Sequence, residues 1–186
     1  MKQLSLGFSP CPNDTFIFHA LVSGEVSIRG IDVVPRLEDV ETLNQLALAG
    51  ELDITKVSYG AVPYLLEDYH LLRSGGALGR GCGPLLVARP GVELARLRSG
   101  SVAIPGRFTT ANLLLRLFDP ELPVGLPMVY SDIMPAVAKG EVDAGLIIHE
   151  SRFTYPRHGL VQLVDLGEWW EQETGAPILA SARVGI

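Results

Sequence analysis

Two stretches of this chain repeat a pattern that few folds accommodate. NQLALAGELDITKVSYG, residues 44–60, and MPAVAKGEVDAGLIIHE, residues 134–150, each run a small-residue helical segment into a glycine, then Glu, an aliphatic, Asp and an apolar strand. The glycines, Gly50 and Gly140, stand ninety positions apart. Glycine suits the residue after a helix, where a left-handed backbone is inexpensive only without a Cβ. Ahead of each copy a strand enters a Pro-containing loop and then a helix, as LSLGFSPCPNDTF and SVAIPGRFTTANL. Two agreements in the same order predict two similar lobes with a cleft between them.

The rest of the chain alternates short Val/Ile/Leu runs with helical stretches, the mark of an α/β protein with a largely parallel sheet. Strands are expected at 4–9, 32–37, 52–57, 69–73, 84–88, 101–104, 126–130, 144–148 and 161–165. Helices are expected at 14–22, 40–49, 61–67, 110–118, 133–138 and 168–173. The expected layout is lobe I over residues 1–90, a hinge at 91–98, lobe II at 99–175 and a return strand at 176–186. SGGALGRGCGP is read as a flexible or lobe-crossing connection, because it lacks the GK[ST] of a phosphate loop and the strand–helix setting of a dinucleotide fingerprint.

Composition narrows the function. The 186 residues carry a formal charge of −6 and no Lys/Arg stripe, which argues against nucleic-acid binding by bulk electrostatics. No apolar run approaches the ~18 residues of a membrane span, and the first residues lack a secretory apolar stretch, so a cytoplasmic protein without membrane attachment is expected. Cys11 and Cys82, the only cysteines, are too few for a disulfide framework or a zinc cage.

In open α/β sheets ligands bind outside the carboxyl ends of the strands. The polar residues expected there are Ser9, Asn13, Asp14 and Thr15 after the first strand, and Lys56 and Ser58 at the end of the third. Arg107, Thr109 and Thr110 come after Ile104, and His149, Glu150 and Ser151 after Ile148. All converge on one cleft if the lobes face each other. Asn13 or Asp14 is also a good helix N-cap, as is Thr109, and a helix start with two hydroxyls can receive a carboxylate or an oxygen-rich ligand. Lys56 either reaches the cleft or snorkels to solvent, and Ser58 is either a contact or a turn residue. His149 stands at the mouth of a buried strand, where the other repeat has Tyr59. Partial burial there would favour the free-base imidazole needed for proton abstraction. Cys11, next to a helix start, is the alternative nucleophile, although no sequence feature supplies its base.

SPCPNDTFIF, EDVETLN, TKVSYG, RSGGALGRGCGPLLVAR, PGRFTTA and GLIIHESRFTYP, in that order over nearly the whole chain, resemble the 1,4-dihydroxy-6-naphthoate synthase family of the futalosine route to menaquinone. The resemblance implies a two-lobed α/β fold similar to type II periplasmic binding proteins. It implies a cytoplasmic carbon–carbon lyase that uses no metal or organic cofactor. The small-molecule substrate would be cyclic dehypoxanthine futalosine and the product 1,4-dihydroxy-6-naphthoate. Through IIHESRF the proton acceptor falls on His149. Through TKVS and RFTTA the substrate contacts fall on Lys56, Val57, Ser58, Thr109 and Thr110. In the family the return strand continues into helices that finish the first lobe. APILASARVGI is shorter than that strand, so a C-terminally shortened member with an incomplete first lobe is expected. The rival readings are the chorismate dehydratase of the same pathway and a non-catalytic module that binds a small anion.

Overall fold

The computed structural model describes Met1–Ile186 and divides into two compact units, residues 1–77 with 181–186, and residues 78–180. Along the first unit run β1 (Lys2–Phe8), α1 (Pro12–Val22), β2 (Ile31–Leu37), α2 (Val40–Leu48), β3 (Ile54–Ser58) and β4 (His70–Leu71). A short β5 (Ala77–Gly79) lies at the boundary. The second unit contains β6 (Leu85–Ala88), β7 (Val102–Ile104), α3 (Thr110–Phe118), β8 (Leu126–Pro127), α4 (Tyr130–Lys139) and β9 (Ala144–Ile147). It continues through α5 (Ser151–Thr154), β10 (Val161–Asp165) and α6 (Leu166–Thr174), and β11 (Ile178–Gly185) then carries the chain back.

The sheets are mixed rather than largely parallel. In the first unit β1 pairs in parallel with β2 and β3, while the returning β11 lies antiparallel between β3 and β4. In the second unit β8, β7 and β9 are parallel, whereas β6 runs antiparallel to both β9 and β10. The antiparallel strands are β6, the first strand within the second unit, and β11, which returns the chain to the first. The same pairing moves the boundary. Residues 78–90, expected in the first lobe, belong to the second unit because Leu85–Ala88 bond to β9 and β10. Residues 91–98, expected as a hinge, contribute a 3₁₀ turn at Leu94–Ser99 that buries Leu97 in the second unit's core. The chain passes between units inside the glycine-rich stretch instead.

The second unit buries its sheet on both faces, which is why its strands read as continuous apolar runs. Along β6, Leu86 and Ala88 join a cluster with Leu114 and Leu115 of α3 and Leu166 of α6. Their neighbours Leu85 and Val87 join another with Ile133, Met134 and Val137 of α4. The first unit packs Leu43 and Leu46 of α2 with Leu52. No helix is long and apolar enough to cross a membrane.

The sequence repeat has a physical counterpart. Gly50 (φ 69°) and Gly140 (φ 78°) both adopt the left-handed conformation that ends a helix. The aspartate three residues on is then locked by a serine from the neighbouring strand region. Ser5 donates to the Asp53 carboxylate from its amide and its hydroxyl, both at 2.7 Å, and its hydroxyl accepts from the Asp53 amide at 2.8 Å. Ser101 treats Asp143 in the same way, at 2.8, 2.9 and 3.1 Å.

Hydrogen bonds from Ser5 and Ser101 hold both carboxyls below the usual carboxylate range. A carboxyl depressed in the folded state adds stability above its unfolded pKa and loses it as pH falls through the folded value. Asp53→Asn and Asp143→Asn are each expected to cost about 1.5–3 kcal/mol near neutral pH, with the difference from the parent shrinking on acidification toward about pH 2. Urea unfolding across that range checks this; a pH-independent difference would contradict it.

Candidate functional site

In each unit the candidate residues sit where parallel strands end. β1 and β3 are adjacent and parallel, so Ser9 and the start of α1 leave the sheet at the same edge as Ser58. β7, β8 and β9 are parallel likewise, and they bring Thr109 and Thr110, Tyr130, and His149 to one edge of the second sheet.

The first unit's edge is built on a buried charge network. Asp14 is 2% exposed, Lys56 4%, Arg183 3% and Ser9 4%. One Asp14 carboxylate oxygen receives the Lys56 ammonium at 2.7 Å, and the other receives the Arg183 guanidinium at 2.7 Å. Ser9 donates to the first oxygen from its amide at 3.0 Å and its hydroxyl at 2.6 Å, and Lys56 also reaches the Ser9 oxygen at 2.9 Å. The Cys11 sulfur lies 3.0 Å from Ser9 Oγ and 3.7 Å from Lys56 Nζ. Arg183 lies 5.2 Å from the centre of the Phe18 ring. Its Nε finds no hydrogen-bond acceptor in the protein, and its stem passes so near Gly75 that a Cβ there would approach Cγ to 2.8 Å.

Burial raises the Asp14 carboxyl, but the Lys56 ammonium, with Ser9 and Arg183, outweighs this and holds it below its ordinary range. Burial lowers Arg183, and the Asp14 charge opposes that. Lys56 does not snorkel to solvent: its ammonium is held inside the unit. Asn13 is exposed and stands outside these contacts. Val57 is wholly buried, opposite Ala182 of β11. Ser58 is tied to α2, its amide donating to Asn44 at 2.8 Å and its hydroxyl receiving Asn44 Nδ2 at 3.1 Å.

The cap of α1 differs from expectation. The helix begins at Pro12 with Cys11 as the N-cap, and neither Asn13 nor Asp14 caps it. Proline at the first helical position fits, since its missing N–H would have had no helical partner. Asp14 instead turns back to Ser9, where its charge also complements the helix dipole.

At the second unit's edge Thr109 is the N-cap of α3, as expected: its hydroxyl accepts from the Asn112 amide at 3.2 Å and donates to the Gly106 carbonyl at 2.8 Å. Thr110, half-buried, donates to the Ala180 carbonyl at 2.8 Å. His149 departs from the partial burial expected of it. Burial ends at Ile147, and the imidazole is exposed. Its backbone, at φ 56°, makes it the only non-glycine residue in the left-handed region. The turn that reverses the chain into α5 imposes that conformation, and histidine tolerates it better than a branched side chain would. The ring packs edge to face on Tyr130, with centroids 5.7 Å apart.

Sequence reasoning missed Asn44, Arg183 and Tyr130. Arg183 carries a usable signal, being a charged residue inside a run that otherwise reads apolar, while Asn44 is one of several polar residues of its helix. Tyr130 carries none, since a tyrosine opening a helix is ordinary.

Residues 4–182 match the model of a family described as menaquinone biosynthesis. The chain belongs to this family. It is 59% identical over 178 residues to a protein of Thermus thermophilus named 1,4-dihydroxy-6-naphtoate synthase, a match covering 96% of this chain and 64% of that one. A protein of the same name from Streptomyces coelicolor is 49% identical, with 97% and 65% covered. The chain thus spans a little under two thirds of the length of these curated relatives. Among solved structures, protein AF1704 of Archaeoglobus fulgidus superposes with a TM-score of 0.90 at 35% identity, covering 98% of this chain and 67% of that one. The alkanesulfonate-binding protein SsuA of Xanthomonas axonopodis pv. citri superposes at 0.70 with 14% identity, covering 100% and 65%. That likeness establishes the two-lobed fold of periplasmic binding proteins.

Asp14→Ala leaves two buried cations facing each other and is expected to cost about 3–5 kcal/mol, whereas Lys56→Met, which leaves Asp14 paired with Arg183, is expected to cost less. Urea titration of both variants decides, and equal costs would contradict the arrangement. His149→Gly relieves a left-handed backbone and is expected to stabilise the fold by up to about 1 kcal/mol, read as a higher Tm; a lower Tm would refute the strain.

Proposed function

We propose that this chain catalyses the 1,4-dihydroxy-6-naphthoate synthase reaction, converting cyclic dehypoxanthine futalosine to 1,4-dihydroxy-6-naphthoate. The observation that carries this reading is the 59% identity to the Thermus relative of that name, which extends over 96% of the chain. The reaction is a carbon–carbon cleavage with aromatisation, so it needs a base for a proton next to a carbonyl and donors for the enolate oxygen that develops.

His149 is the base. An exposed imidazole at a strand end can meet a substrate and take a proton from it. The amides opening α3 are the donors in the second unit, and Thr109 and Thr110 contact the substrate beside them. In the first unit the exposed Asn13 and the backbone of Lys56, Val57 and Ser58, whose side chains are buried, contact the substrate at the helix and strand ends. Asp14 and Ser9 act one step back, fixing the Lys56 ammonium. A positive charge held rigidly at this edge favours the negative charge that grows on the substrate.

Incubation of the purified chain with cyclic dehypoxanthine futalosine, analysed by mass spectrometry, is expected to yield 1,4-dihydroxy-6-naphthoate. His149→Ala is expected to lower kcat by about a hundredfold to ten-thousandfold. Full turnover by that variant removes the proton-acceptor role. Product from chorismate instead favours the dehydratase reading, and tight binding without product favours a solute-binding module.

A further inference from the structure

We propose that Tyr130 is a positioning residue that sets the orientation of the His149 imidazole; the inference rests on the reading of His149 as the proton acceptor. Proton transfer requires one nitrogen of the imidazole to be aimed at the substrate. The ring of Tyr130 supplies a constraint, meeting the imidazole edge to face at 5.7 Å with 75° between the planes. This is a preferred geometry for aromatic pairs, in which a ring edge approaches a π face.

The support behind Tyr130 is rigid. β8 pairs in parallel with β7, and the Met128 amide donates to the Ile104 carbonyl at 3.0 Å, so the segment entering α4 is fixed to the sheet. α4 then buries Ile133, Met134, Ala136 and Val137, which anchors its first residue, Tyr130. On the other side, the left-handed backbone of His149 fixes where its Cβ leaves the chain. A non-glycine residue held in that region is the kind of strain that accompanies function. Backbone strain places the base of the imidazole, and the Tyr130 ring limits its rotation. A phenylalanine would keep that contact, and an alanine would remove it.

The test compares Tyr130→Ala, Tyr130→Phe and His149→Ala with the parent chain. Histidine ring resonances are tracked by NMR, with that of His149 assigned by its loss in His149→Ala and His19, His70 and His158 as internal controls. In Tyr130→Ala only the His149 resonance is expected to move, and kcat is expected to fall about ten- to a hundredfold with KM within about twofold. Tyr130→Phe is expected to retain the parental resonance and rate. An unmoved resonance in Tyr130→Ala, an unchanged kcat there, or equal damage in Tyr130→Phe overturns the inference. Turnover by His149→Ala overturns the proton-acceptor reading instead, and the resonance arm still decides whether the rings hold each other.

Discussion

Asp14 is the only residue that α1 buries. A surface helix ordinarily docks through an apolar stripe, but this one exposes Phe16 and Ile17 and sends a carboxylate inward. The helix is therefore held to its sheet largely by electrostatics, aided by Phe18 against Phe8 with ring centroids 5.0 Å apart. Two cations, from β3 and β11, meet on that one carboxylate. A buried ion pair can be a weak source of stability, yet breaking it leaves an uncompensated charge in a poor solvent for ions. The arrangement thus ties α1 to β3 and β11 through one carboxylate.

The two units solve the same local problem in the same way and then diverge. In both, a left-handed glycine ends a helix, and a serine locks the aspartate three residues later. Beyond that lock, the first unit places a buried lysine that shares the Asp14 carboxylate with Arg183, while the second places an exposed imidazole on a strained backbone. The shared lock fixes the strand ends, and the chemistry depends on the side chains just past them. This division suits a protein in which one set of residues holds fixed charge and the other moves a proton.

Much of this frame could be read from the letters. Gly50 and Gly140 announced the repeat, and Thr109 before TANLLLRL announced a cap, because both are local rules of backbone geometry. The partner of Asp14 could not be read, since Arg183 lies 169 positions away and only the antiparallel return of β11 brings it close. The unit boundary escaped for the same reason: Leu85–Ala88 reads as a strand, but its sheet is chosen by pairing with β9 and β10. His149 comes after four apolar residues and so suggested burial, yet burial ends where the strand ends, and the left-handed turn carries the ring outward.

The most direct measurement of the central constraint is a carbon-13 NMR titration of the Asp14 carboxyl in the folded chain. A carboxylate clamped between Lys56 and Arg183 is expected to remain ionised through the ordinary range near pH 4 and to gain its proton only at lower pH or on unfolding. Titration at the ordinary value, unaltered by Lys56→Met, would contradict the account.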